Sequence, residues 1–213
     1  MKTKTTPNTI SIGTQIHNPI IMEAKAYLKE NFGNKYDIEP HFNFIIMAMP
    51  DYRLKDLEQK LDVFFNKKTG IELKFGNLHF EEKQRFFSIP IINKDVMNIH
   101  KDLINLLNPI RDHYIREKDL VRIREGKTDE LEERYIYDYG YLRVLERFIP
   151  HITIGNIKNE EFNLEEIKTR LDSILSNLYN TSLKVNELYA TFIEDAEIQS
   201  DYKWIWEKTY ILN

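Results

Sequence analysis

Pro40-His41-Phe42-Asn43-Phe44 and Pro150-His151-Ile152-Thr153-Ile154 are two copies of one pattern, a histidine with a hydrogen-bonding residue two positions on, set among apolar neighbours. On a β-strand alternate side chains share a face. His41 and Asn43 therefore point one way while Phe42 and Phe44 point the other, and His151 and Thr153 do the same against Ile152 and Ile154. The apolar pair belongs in a core. The polar pair belongs in a cleft.

The two copies sit in a longer repeat, because subtracting 41 from 151 gives 110 and the same offset carries Leu57 onto Ile167, Leu61 onto Leu171, Asp62 onto Asp172, Leu73 onto Leu183 and Leu78 onto Leu188. Solenoid units recur at shorter periods and more than twice, so one repeat of this length reads as duplicated halves of a single domain. A pseudo-twofold axis then relates the two motifs.

The 213 residues suit one domain, and a 42% hydrophobic content supports a substantial core. There is no cysteine, which excludes disulfides, thiolate metal sites and cysteine nucleophiles. Met1 to Pro7 is polar, with no apolar stretch of signal-peptide length, and no later run is long enough to span a bilayer. The expectation is a cytoplasmic protein without a membrane partner. A net charge of −4 speaks against gripping extended duplex nucleic acid through many phosphates. The basic residues between Arg111 and Lys127 are interleaved with acids and read as a solvated helix face, with a phosphate-binding role as the alternative.

Periodicity predicts a strand through Ile10, Ile12 and Ile16, a helix from Ile20 to Phe32 stopped at Gly33-Asn34, and a strand from His41 to Met49. A helix with the stripe Leu54, Leu57, Leu61, Phe64 and Phe65 follows, then strands over Ile71–Phe80 and Arg85–Ile92. A helix from Lys94 to Leu107 comes next, then an irregular charged stretch from Asn108 to Arg147. The second motif strand begins at His151, a helix repeats the stripe through Leu164, Ile167, Leu171, Ile174, Leu175 and Leu178, and Leu183–Ile193 with Tyr202–Leu212 forms a closing antiparallel pair that includes Trp204 and Trp206. The fold class is α+β: a bilobal, pseudo-twofold duplicated domain with two antiparallel-rich sheets flanked by helices around a central cleft. The first lobe spans about 1–93 and the second about 94–213, with an insertion at about 111–140 that can cover the cleft. Tyr135, Tyr137, Tyr139 and Tyr141 alternate near its end, a pattern that packs a strand or a helix–strand junction, or stacks a base. Tyr139, Tyr141 and the adjacent Arg143 are candidate substrate contacts.

Two imidazoles facing one cleft suit acid–base chemistry, since histidine changes charge near neutrality: one takes a proton while the other delivers one. The Asn43 amide and the Thr153 hydroxyl are hydrogen-bond donors placed to hold an anion such as phosphate. No metal-ligand spacing, glycine-rich phosphate loop or nucleophile elbow accompanies them. His17, His79, His100 and His113 have no paired motif and read as surface or packed residues.

In these motifs, their spacing and the element order, the chain resembles the 2H phosphoesterases, the LigT-like or 2′-5′ RNA ligase-like superfamily, whose signature is two His-x-Thr/Ser-x motifs. The second motif matches closely. The first has Asn43 where that signature has Thr or Ser. The resemblance implies His41 and His151 as catalytic residues, Asn43 and Thr153 as phosphate ligands, and no cofactor. The implied activity is a metal-independent phosphodiesterase acting on a cyclic nucleotide, a 2′,3′-cyclic phosphate or a 2′-5′-linked (oligo)nucleotide. The expected partner is a small nucleotide or short oligonucleotide. The alternative is a binding module for a nucleotide or RNA end, its turnover lost through Asn43.

Overall fold

Alternating burial at Ile10 and Ile12 builds β1 (Asn8–Gln15), and the Asn18 side chain caps α1 (Pro19–Phe32) by accepting from the Ile20 and Ile21 amides. The computed structural model describes residues 8–33, 39–82, 85–157, 161–194 and 203–213. Gly33 ends α1 at φ 60°, a left-handed conformation that glycine adopts without cost. Asn34, the polar N-terminus and Tyr202 fall outside the described residues, as does the side chain of Trp204.

The first motif opens β2 (His41–Ala48), and a turn at Asp51–Arg53 leads into α2 (Leu54–Phe65), which buries Leu57, Leu61 and Phe65. Next come β3 (Ile71–Lys74), β4 (His79–Glu81), β5 (Phe86–Pro90) and α3 (Lys94–Leu107). The strand expected over Ile71–Phe80 is thus broken between Lys74 and His79, because its two parts take different partners. In the same way, the strand expected over Leu183–Ile193 divides into β7 (Ser182–Val185) and β8 (Glu187–Glu194).

The stretch Asn108–Arg147 is not irregular. It holds α4 (Glu117–Arg124) and α5 (Glu130–Tyr139), the latter started by a capping box in which Asp129 and Glu132 satisfy each other's amides. Tyr135, Tyr137 and Tyr139 therefore lie on a helix rather than a strand: Tyr135 is buried, Tyr137 is exposed, and Tyr139 meets Tyr135 edge-on. Nor is Arg111 to Lys127 a solvated face throughout. Arg111 and Arg116 are buried: Arg111 donates to the Tyr114 and Tyr137 carbonyls, while Arg116 pairs with buried Asp119 at 2.5 Å and reaches the Thr9 hydroxyl on β1. These two arginines satisfy carbonyls and a carboxylate that would otherwise be buried unpaired. They fasten the segment to the body of the protein.

The second motif opens β6 (His151–Asn156), followed by α6 (Leu164–Leu175) and, after β7 and β8, by β9 (Lys203–Ile211). One sheet has the order β2-β1-β8-β9. On the other side β4-β5-β6 form a three-stranded sheet, and an isolated pairing of Phe75 with Ile91 joins it to the β3-β7 ladder. All of these pairings are antiparallel. Strands from before and after residue 93 share each of these sheets, so the two halves of the chain are interwoven. No described helix is long and apolar enough to cross a membrane.

The duplication runs further than a single offset reveals. α2 and α6 match residue for residue at 110. α1 and α3 also match, but subtracting 19 from 94 gives 75, and their buried positions Ile21, Ala24 and Leu28 fall on Val96, Ile99 and Leu103. The two offsets differ by 35 residues, the extra length of the connection containing α4 and α5. α1 packs on β6 and α6, while α3 packs on β2 and α2, as a twofold demands. The axis is visible in β3-β7, where Leu73 pairs with Leu183, its own counterpart at 110.

Candidate active site

Phe42, Phe44, Ile152 and Ile154 are fully buried in one apolar core, with the Phe42 and Phe44 rings edge-on at 4.8 Å. That burial fixes the strand phase. His41, Asn43, His151 and Thr153 accordingly lie on the opposite, partly open faces of β2 and β6, and these two strands touch.

Each motif also carries the same irregularity. Pairing shifts by one residue between Ile12 and Gly13 against β2, and between Phe87 and Ser88 against β6, so that Gly13 faces Asn43 and Ser88 faces Thr153. Such bulges bend a strand and re-aim the side chains beside them. A Cβ on Gly13 would lie 2.3 Å from the Phe42 carbonyl oxygen and 2.6 Å from Asn43 Oδ1. Only glycine fits there.

The histidines are held alike. Nδ1 of His41 lies 2.9 Å from the Glu39 carbonyl and Nδ1 of His151 lies 2.7 Å from the Ile149 carbonyl, positions again 110 apart. A carbonyl can only accept, so Nδ1 carries the hydrogen in both rings and Nε2 is the atom left to exchange a proton. The pKa of His151 is lowered from the ordinary histidine range, chiefly by burial, against which its bond to Ile149 works; positive charge at Arg143, His41 and His79 lowers it further. At neutral pH the His151 Nε2 therefore presents a lone pair.

Asn43 is oriented by Ser11, whose hydroxyl donates to Asn43 Oδ1 at 2.9 Å. With its oxygen engaged, the amide offers N–H donors, and among the described residues neither that nitrogen nor the Thr153 hydroxyl has a partner. Removing one donor that faces a developing oxyanion costs about 2–3 kcal/mol of transition-state stabilisation. Asn43→Ala is expected to slow turnover by roughly that amount, and Ser11→Ala by less, while Asn43→Thr keeps a donor and is tolerated. Steady-state rates of the three variants check the ordering, which an Asn43→Ala enzyme of wild-type rate would overturn.

Of the remaining candidates, exposed Arg143 acts electrostatically on His151. The Tyr141 ring lies beneath Arg116, with the guanidinium 5.3 Å from its centroid, and Tyr139 packs against Tyr135. Phe86 stands 5.7 Å from the His151 ring. Among the described residues no group of three or more His, Asp or Glu is arranged to hold a metal ion.

Two histidines without a motif matter here. His79 pairs with Ser88, which pairs on its other side with Thr153, so a row crosses β4, β5 and β6. His100 is fully buried: Nδ1 donates to the Phe44 carbonyl at 2.7 Å, Nε2 accepts from the Leu145 amide at 3.0 Å, and the ring stacks on Phe148 at 3.9 Å. It ties the bulge of the first motif to the segment preceding the second. Sequence offered one hint, that α3 is strongly amphipathic and His100 lies on its apolar side; His79 gave none, because only strand pairing brings it into one row with Thr153, across Ser88.

Residues 47–200 match a family described as "Protein of unknown function (DUF1045)", a span that includes the second motif and begins after the first. No curated protein sequence matches the chain. Among solved structures it is similar to TT0787 of Thermus thermophilus, with a TM-score of 0.56 and 9% identity over 95% of this chain and 97% of that one. It is also similar to E. coli LigT complexed with NADP+, with a TM-score of 0.53 and 11% identity over 97% of this chain and 98% of LigT. A structure described as a phosphoesterase gives a TM-score of 0.54 and 13% identity, with coverages of 97% and 98%. The fold is that of the LigT-like proteins, and at these identities the likeness is one of fold.

Proposed function

The chain belongs to the DUF1045 family, whose description assigns no activity, and from its twin-histidine cleft we propose that it is a 2H-type phosphodiesterase acting on small nucleotides or short oligonucleotide ends. One observation carries the reading: two imidazoles on touching strands, each fixed through Nδ1 to the carbonyl two residues upstream, each leaving Nε2 for proton transfer. Simple anion binding has no need of this matched fixation, since Arg or Lys serves it as well. LigT, similar in fold, was solved with NADP+, which agrees with a small nucleotide as substrate.

For a 2′,3′-cyclic phosphate the chemistry balances with water alone. His151, held neutral, takes a proton from water through Nε2, and the water oxygen forms a new bond to phosphorus. The bond from phosphorus to one ribose oxygen breaks, and His41, entering as imidazolium, delivers the proton from its Nε2 to that oxygen. Asn43 and Thr153 donate to the non-bridging oxygens as charge builds on them. The products are a phosphomonoester and a free hydroxyl.

The test is turnover on a panel of cyclic nucleotides, 2′-5′-linked dinucleotides and oligoribonucleotides with 2′,3′-cyclic ends, with and without EDTA. Activity that survives chelation and follows a bell-shaped pH profile is expected. Loss on chelation with recovery on adding a divalent ion would overturn the metal-independent mechanism, and tight nucleotide binding without turnover would turn the reading to a binding module.

A further inference from the structure

The pseudo-twofold is broken in one direction. The two motifs supply a matched set around its axis, one imidazole and one donor from each side, which is what a single scissile phosphate requires. The flanking positions differ. His79 on β4 occupies the place that Tyr189 occupies on β8, 110 residues on, and each completes a row across its sheet: His79, Ser88 and Thr153 on one side, Tyr189, Gly13 and Asn43 on the other. The Asn43 side thus has a partly buried tyrosine ring beside a glycine whose position has no room for a side chain. The Thr153 side has an exposed imidazole.

Arg143 strengthens this asymmetry. It lies in the long connection before β6 that has no equivalent of its length before β2, and its neighbours Leu142 and Val144 are buried while Arg143 itself is exposed. The next residue but one, Leu145, is anchored by its amide to His100, so Arg143 projects from a fixed backbone. Its charge and that of His79 both bear on His151. Among the described residues the side chain of neither His79 nor Arg143 makes a hydrogen bond or an ion pair. The acid nearest along that strand face is Glu81, two positions from His79, in the row of Phe86.

We propose that His79 and Arg143 form a second anion subsite, beside His151, for an additional phosphate group of the substrate. This rests on the phosphodiesterase reading of the twin motifs and extends it. The substrate class becomes a nucleotide or oligonucleotide end carrying two phosphates, one cyclic or bridging at the histidines and one on the His79 side. A substrate whose only charge lay at the scissile group would leave an unpaired guanidinium and imidazole to one side of it. A guanidinium matches a phosphate in shape and charge, and a hydrogen bond between charged partners is among the stronger ones available.

The experiment compares kcat/KM for adenosine 2′,3′-cyclic phosphate and its 5′-phosphorylated form, and compares binding of adenosine 3′-phosphate and adenosine 3′,5′-bisphosphate by calorimetry. Wild type is expected to prefer the doubly phosphorylated member of each pair by about 10-fold or more. In Arg143→Gln and His79→Ala, and most fully in the double variant, each ratio should fall toward one. Taking ratios within one variant cancels any change in the reactivity of His151. Turnover of both substrates at equal kcat/KM by wild type, or a preference that survives in the double variant, overturns the subsite while leaving the phosphodiesterase reading intact. Absence of turnover with a bisphosphate preference that Arg143→Gln abolishes does the reverse, retaining the subsite and removing the enzyme. Equal affinity for mono- and bisphosphate together with no turnover defeats both.

Discussion

His41→Ala and His151→Ala are each expected to lower kcat by about 10³-fold, within the range that positioned general acids and bases contribute. The double variant should be little worse than either single one. The two groups serve one proton inventory: with the base gone the nucleophile is not activated, and with the acid gone the leaving oxygen departs as an unprotonated alkoxide, so the second loss removes little that the first left working. Neither ring is a core residue, so the variants should fold, which circular dichroism checks. Independent losses that multiply would mean that the two histidines act in different steps or at different sites. A folded double variant turning over substrate at the wild-type rate would place the active centre elsewhere.

The largest stability effect is expected at His100. Truncation to alanine orphans the Phe44 carbonyl and the Leu145 amide, both bonded to the ring in the native protein, and removes the stack on Phe148. At about 1–3 kcal/mol for each unsatisfied group, with lost packing added, His100→Ala should cost roughly 3–5 kcal/mol. The urea midpoint reads it, and an unchanged midpoint would show that neither bond matters. The same ring sets an acid limit. Burial pushes the His100 pKa down, so as pH falls below about 6.5 the unfolded chain takes up a proton that the native ring refuses. Stability is therefore complete above that pH and declines below it, by up to about 1.4 kcal/mol per pH unit from this group, until the native ring also protonates. His151, lowered in the same direction chiefly by burial, adds to this decline.

Much of this protein is legible in its sequence because its strongest signals are local. The bounds of α3 are those read from its 3.6-residue stripe, and α2 and α6 coincide at the offset found from the two histidines. Strand phase followed from alternation alone, since a one-residue slip would have driven His41 and Asn43 into the core and Phe42 and Phe44 out of it. The helices α4 and α5 were missed for an equally local reason. Their apolar positions are few and their charges many, and what holds them is the burial of Arg111 and Arg116 against carbonyls, a carboxylate and a distant threonine.

The sequence by itself determined the two motifs, the faces their side chains occupy, the duplication at 110 and the α+β class, because each depends on residues a few positions apart or on simple recurrence. Only the tertiary structure decided the second offset of 75, the interweaving of the halves, the Ser11 hydroxyl on Asn43 and the place of His79 in one row with Ser88 and Thr153. These depend on which strand lies next to which and in what register. That is settled by burying all the apolar faces at once and closing every ladder, a condition on the whole chain that no single stretch of it carries.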